Sequence, residues 1–197
     1  MAINNLDLLE KFDYKKQLAF AYLTCERLYP NYVYFSNNFE FGSKFILRSA
    51  IDFIHSSLLM NIAPNQSEIE SNLKKVDLNT PDTEDFSSIF VSSALDSCTA
   101  ILETLGFMLD KNSARLYDIS SFATDTVDMY IEIRDNLDFN TDAQFDQKIF
   151  DDPLMRREIK VQEGIISYLN EIDTLESYDL NNLLSLQNNN NKSNIDL

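Results

Sequence analysis

Residues Cys25 to Phe35 read CERLYPNYVYF, a Glu26–Arg27 step followed by three tyrosines around one proline. Such a cluster is either a catalytic constellation or a corner of a helical core. Upstream, Asp13 can cap a helix starting at Tyr14, in which Leu18, Ala21, Tyr22, Cys25, Leu28 and Tyr29 share one side and Phe20 and Leu23 form a second. A helix that is apolar on two sides lies at the centre of a fold or at a subunit interface. Pro30 lacks an N–H and its ring crowds the preceding turn, so this helix is expected to stop at Tyr29. Asn31 then takes the C-terminal cap, and a short aromatic piece runs to Phe41 ahead of Gly42. On this reading CERLYPNYVYF is a helix corner packed into the core, its tyrosine hydroxyls satisfying carbonyls and Glu26.

The same cap-and-period logic marks six further helical segments. They are Leu6 to Phe12, Lys44 to Asn61 after Ser43, and Gln66 to Val76 after an Asn65/Glu68 capping box. Thr80-Pro81 opens a segment from about Thr83 to Leu109, Asn112 or Ser113 starts one ending near Asn136, and Asp152-Pro153 starts the last, to about Ser177. Only 3 Gly and 4 Pro in 197 residues, 44% of them hydrophobic, leave too few turns for a sandwich or barrel. The expected fold is all-α, a single-domain bundle of about six to seven helices over residues 1–178. Residues 179–197, which include the stretch NNLLSLQNNNNKSNIDL, are low in complexity and expected to be a disordered tail.

Sixteen Lys and Arg stand against 32 Asp and Glu, a formal charge of −16 spread along the chain. Nucleic acid and anionic membranes are therefore not expected partners, because both require clustered cations. No apolar run approaches the roughly 18 residues of a membrane span, and no signal peptide precedes the first helix, so a soluble, cytoplasmic protein is expected. Cys25 and Cys98 then read as two reduced, buried thiols.

Helical wheels sort the remaining polar residues. On the segment after Ser113, Leu116, Ile119, Ala123, Val127 and Tyr130 face the core, and Asp118, Asp125, Asp128 and Glu132 form an opposite, solvated stripe. Ile46, Ala50, Phe53, Ile54 and Met60 form the buried arc of the helix carrying the only histidine, placing Lys44, Arg48, Asp52 and His55 outside. Asp52-x-x-His55 has the spacing of a di-iron ligand pair but reads as a surface pair, since such sites face inward. Asp138, Asn140, Asp142 and Asp146 match four calcium-loop positions, yet Ala143 replaces the required Gly and Ile149 the bidentate Glu. A short helix capped by Thr141, with Gln144 at its third position, is the better account. No metal and no cofactor is expected.

Two carboxylates fall where exposure is hard to arrange. Glu26 lies between Tyr22 and Leu23 on its wheel. Glu158 and Gln162 flank the stripe of Leu154, Val161, Ile165, Tyr168, Leu169 and Ile172. A buried carboxylate must be paired or hydrogen-bonded. The candidate polar cluster is Glu26, Arg27, Tyr29, Asn31, Tyr32, Glu158 and Gln162, with no residue assigned as catalytic. Asp96 and Glu103 read as outward-facing, and Ser93, Ser97 and Ala100 as a small-residue face for close helix contact. The leading functional reading is a non-catalytic protein-interaction or scaffold module, with a homodimer as its expected assembly. The alternative is a small-ligand binder or enzyme built on the Glu/Arg/Tyr cluster.

CERLYPNYVYF also resembles the signature of the YjaG-like family of bacterial proteins, domain of unknown function 416. Segments similar to that family follow in the same order: ALDSCTAILE from Ala94, ISSFATDTVDMYIE from Ile119, and the helix from Pro153 to Leu169. The resemblance implies an all-helical domain and brings no established activity with it. Cys25, Glu26, Arg27, Tyr29, Pro30, Asn31, Tyr32, Asp96, Cys98, Glu158 and Gln162 fall on matching positions. The acidic turn of residues 138–151 and the Asn-rich tail depart from the family pattern.

Overall fold

The computed structural model describes residues 3–60 and 64–197, and every regular element among them is helical. Eight α-helices follow in order: α1 Tyr14–Phe39, α2 Lys44–Leu59, α3 Gln66–Asp77, α4 Phe90–Asp110, α5 Ala114–Arg134, α6 Phe145–Asp151, α7 Pro153–Glu171 and α8 Ser177–Leu186. Two 3-10 turns, Leu6–Lys11 and Thr83–Asp85, precede α1 and α4. This exceeds the expected six to seven, mainly because the last helix stops at Glu171 and α8 restarts at Ser177. A capping box between Glu176 and Asp179 opens α8. The expected end of α2 at Asn61 lies outside the described residues.

α1 is the central element, packing against α2, α4, α5, α7 and α8. Its apolar surface on two sides is used inside the molecule. Pro30 does not end it. A mid-helix proline costs roughly 3 kcal/mol, whereas burying a large apolar side chain stabilises by about 1.5–3 kcal/mol. Tyr32 and Phe35, both fully buried beyond the proline, together outweigh the penalty. Phe35 stacks on Phe39 and meets the edges of Phe86 and Phe41. The chain turns ten residues after Pro30, where Glu40 and Gly42 adopt left-handed φ of 52° and 61°.

Asn79 at the end of α3 ties this corner together. Its carbonyl accepts from the Tyr32 hydroxyl at 2.8 Å, and its side-chain oxygen accepts from the Ser43 N–H at 2.8 Å. The N-terminus of α2 is thus capped from another helix, and the Ser43 hydroxyl makes no cap bond. Cys98 also points at the Asn79 carbonyl, and Cys25 lies 3.3 Å from the Thr104 hydroxyl. Both thiols are free and buried, and burial pushes them up to about 12.

Several local expectations are corrected. Thr80 donates to Val76 O, and Asp82 caps the 3-10 turn. α4 starts only at Phe90, because Phe86 turns inward to the aromatic cluster and the Ser88 hydroxyl accepts from Phe90 N–H. α2 buries Leu47, Ala50, Ile51, Ile54 and Leu58, leaving Met60 exposed. That rotation brings Arg48 inward. α6 begins at Phe145, with Gln144 in the left-handed region and Asp142 holding Asp138 N–H and Lys148.

Residues 179–197 belong to the packed structure, contrary to the expected disordered tail. Ile195 is 2% exposed and completes a small apolar cluster with Val127, Ile131, Ile149 and Met155. The asparagines that suggested disorder are hydrogen-bonded: the Asn194 side-chain N–H donates to Ala123 O, and that of Asn189 to Ser193 O. A few apolar anchors with amides between them suffice where the partner surface is preformed.

Candidate functional site

Glu158 and Gln162 lie one turn apart in the middle of the buried face of α7, opposite Arg27 of α1. The stripe expected for α7 had placed them on its flank; Met155, Ile165, Ile166 and Leu169 are their buried companions. Arg27 Nε lies 3.0 Å from Glu158 Oε2 and Arg27 Nη2 2.9 Å from Oε1, a two-pronged pair. Gln162 donates to Glu158 Oε1 at 2.8 Å and accepts from the Ser120 hydroxyl at 2.6 Å. Glu158 is 1% exposed and Arg27 6%. The chain Arg27–Glu158–Gln162–Ser120 locks α1, α7 and α5 in one register.

Glu26 is not part of this network. It points from the other side of α1 to Arg48 of α2, which donates from Nη1 and Nη2 at 2.8 and 2.7 Å. Arg48 also holds Asp52 and covers the Tyr29 ring, while His55 stacks on Tyr22. The structure therefore separates the expected cluster into two halves, Arg27 with Glu158 and Gln162, and Glu26 with Arg48. Tyr29 donates to Lys44 O and Tyr32 to Asn79 O. Asn31 is fully buried, donating to Asn194 Oδ1, and its own side-chain oxygen has no hydrogen-bond partner among the described residues.

Burial pushes the Glu26 carboxyl up, and the hydrogen bonds from Arg48 and Tyr22 together outweigh it, leaving Glu26 below the ordinary carboxylate value of 4.5. A depressed folded-state value means the stabilisation is present above the unfolded value and is lost as pH falls through the folded one. Because the pair is partly exposed, Glu26→Ala is expected to cost only about 1 kcal/mol at neutral pH. In urea unfolding the gap between wild type and variant should narrow as pH falls below the ordinary carboxylate value, and a gap that does not change with pH would disprove the ion-pair origin.

Asp96 and Glu103, expected outside, are engaged as well. Arg115, which crosses α4 at Gly106, pairs with Glu103. Asp96 sits partly buried between α4 and α5, accepting from the Thr126 hydroxyl at 2.7 Å. Burial pushes its carboxyl up to about 7, with the Thr126 bond opposing and Asp125 assisting. The folded state thus binds the proton more tightly, so stability falls as pH rises from about 4 to 7. Asp96→Asn keeps the acceptor and removes the charge. It is expected to raise stability by about 1–2 kcal/mol at pH 8 and to flatten that slope. Thermal melts across this range check it, and an unchanged slope would refute it.

Two clefts open beside Arg27. One, of about 670 Å³, is bounded by Glu26, Tyr29, Pro30 and Lys192. The other, of about 550 Å³, is bounded by Arg157, Lys160, Val161 and Gly164. The segment Gln187 to Asn189 forms a wall of both, and Gln187 accepts from Arg27 Nη1 at 2.9 Å. Ser120, Arg48, Gln187 and Asn194 were not anticipated as members of these networks. Arg48 falls on the opposite side of α2 from the one expected, Gln187 and Asn194 lie in the expected tail, and Ser120 carries no charge to mark it on the buried face of α5. Among the described residues no three His, Cys, Asp or Glu side chains converge as metal ligands. None of the helices among the described residues is long and apolar enough to cross a membrane.

Comparison with known proteins agrees with this architecture. The chain is 32% identical over 97 residues to a Salmonella typhimurium protein called Uncharacterized protein YjaG, covering 49% of this chain and 48% of the relative. It thus spans about half the length of that relative. The Escherichia coli protein of the same name is 26% identical over 166 residues, 84% of this chain and 81% of the other. The crystal structure of a DUF416 family protein from Shewanella baltica superposes with a TM-score of 0.88 at 26% identity, covering 100% of this chain and 99% of that one. The family model described as Protein of unknown function (DUF416) matches residues 4–197, so the chain that carries CERLYPNYVYF on its central helix belongs to the DUF416 family.

Proposed function

We propose that this chain is a non-catalytic helical module that acts through protein contacts, with a second copy of itself as the first partner. The observation that supports this is the engagement of the acid–base groups in the candidate cluster. Glu158 is held by Arg27 and Gln162, and Glu26 by Arg48. A general acid or base must reach a substrate proton, and a carboxylate 1% exposed beneath a guanidinium does not. Large apolar side chains instead stand out at the corner. Phe45 is 75% and Leu78 72% exposed, on either side of the Ser43–Asn79 contact. Aromatic and aliphatic anchors on a rigid support are what interfaces use. The small-residue face at Ser93 and Ser97 serves inside the molecule, with the Ser97 hydroxyl on Leu28 O.

Sedimentation velocity at tens of micromolar tests the reading. A dimer is expected for the wild type and a monomer of unchanged helicity for the Phe45→Ser/Leu78→Ser variant. A monomeric wild type would overturn the self-association. A second reading, small-ligand binding, is favoured by one observation: the buried Arg27 borders both clefts.

A further inference from the structure

The guanidinium of Arg27 has two working edges. Nε and Nη2 are taken by Glu158, whereas Nη1 meets the side-chain amide oxygen of Gln187. A neutral amide is the weaker acceptor there, because a carboxylate makes a charge-assisted bond about twice as strong. Gln187 belongs to a segment suspended between two anchors. On one side is α8, seated by the buried Leu183, and on the other Asn194 and the buried Ile195. Between them Asn190 and Asn191 take left-handed φ of 54° and 62°. This strap is the wall common to the two clefts, so displacing it joins them over Arg27.

Charge points the same way. The chain has two carboxylates per cation, yet the cleft walls carry four cations, Arg27, Arg157, Lys160 and Lys192, against Glu26, Glu158 and Glu163. Each of those three carboxylates is already engaged, by Arg48, Arg27 and Asn4 respectively, and Arg157 is held by Asp196 and the Asn194 carbonyl, so the cationic character of the clefts rests on the Nη1 edge of Arg27 and on the two lysines. Lys160 and Lys192 are exposed at the rims. The cleft volumes of about 670 and 550 Å³ lie in the range of small-molecule sites.

We propose that the Nη1 edge of Arg27 is a binding site for a small organic carboxylate, which replaces the Gln187 amide oxygen while the strap moves aside. The inference rests on the small-ligand reading above and is independent of the Phe45–Leu78 surface. The full chain, labelled with nitrogen-15, is titrated with acetate, succinate and citrate at constant ionic strength, following the Arg27 Nε–H and Gln187 side-chain amide resonances. Saturable shifts of both are expected with at least one acid. Gln187→Ala removes the internal competitor and should bind that acid several-fold more tightly. Gln187 is the safe site for substitution, since it lies at the surface end of the network and Arg27 does not. An unchanged affinity in Gln187→Ala would overturn the proposal. If inorganic phosphate or neutral glycerol saturates these resonances and the carboxylates do not, the ligand class fails and the small-ligand reading stands. Silence of both resonances to every probe overturns both.

Discussion

Arg27→Ala is expected to lower the unfolding free energy by about 3–5 kcal/mol, the usual consequence of leaving a buried charge without its partner. Glu158, 1% exposed, would keep only the Gln162 side-chain N–H, and Gln162 is itself committed to Ser120. Glu158→Ala should cost a similar amount by stranding the guanidinium. The paired replacement Arg27→Met/Glu158→Leu is expected to cost much less than the sum of the single changes, because it removes both charges and refills the space. Urea unfolding of the four proteins measures this cycle. Single variants within about 1 kcal/mol of wild type would contradict the structural role, since groups retained for chemistry can often be removed without loss of stability.

Gly42→Ala should destabilise by about 2–3 kcal/mol through two separate effects. At φ 61° a side chain costs roughly 1–2 kcal/mol. The new Cβ would also collide with the Tyr32 hydroxyl, so that the bond to Asn79 O, worth about 1 kcal/mol, is displaced. Tyr32→Phe alone should cost about 1 kcal/mol. In the double variant the hydroxyl is no longer in the way, and the combined cost should fall short of the sum. Thermal melts of the three variants decide it, and strict additivity would show that the two groups do not meet. The close approach explains why glycine occupies the end of the corner when the chain has only 3 glycines.

Both effects arise at CERLYPNYVYF, and the stretch shows where sequence reading holds and where it stops. Its burial and its need for polar partners follow from residue types and a 3.6-residue period. The fate of Pro30 does not. Proline raises the local cost of helix by a known amount, and whether the chain accepts that cost depends on what Tyr32 and Phe35 gain from α3 and from Phe86, tens of residues away. The partner of Glu26 was misjudged for a related reason. Arg27 is its neighbour in sequence, but adjacent residues on a helix point about 100° apart, so Glu26 reaches α2 and Arg27 reaches α7.

The sequence by itself determined the all-helical class, most helix starts, the apolar surface on two sides of α1, the two buried thiols and the identity of Glu158 as a carboxylate that needs a partner. These are local properties, set by caps, periodicity and the cost of burying charge. The tertiary structure alone decided which cation meets which carboxylate, how α2 is rotated, and that the Asn-rich end folds back over Arg27. Those outcomes depend on surfaces that exist only once distant helices have packed: Ile195 has a pocket to enter only after α5, α6 and α7 have formed it, and Gln187 has a guanidinium to meet only where α1 crosses α7.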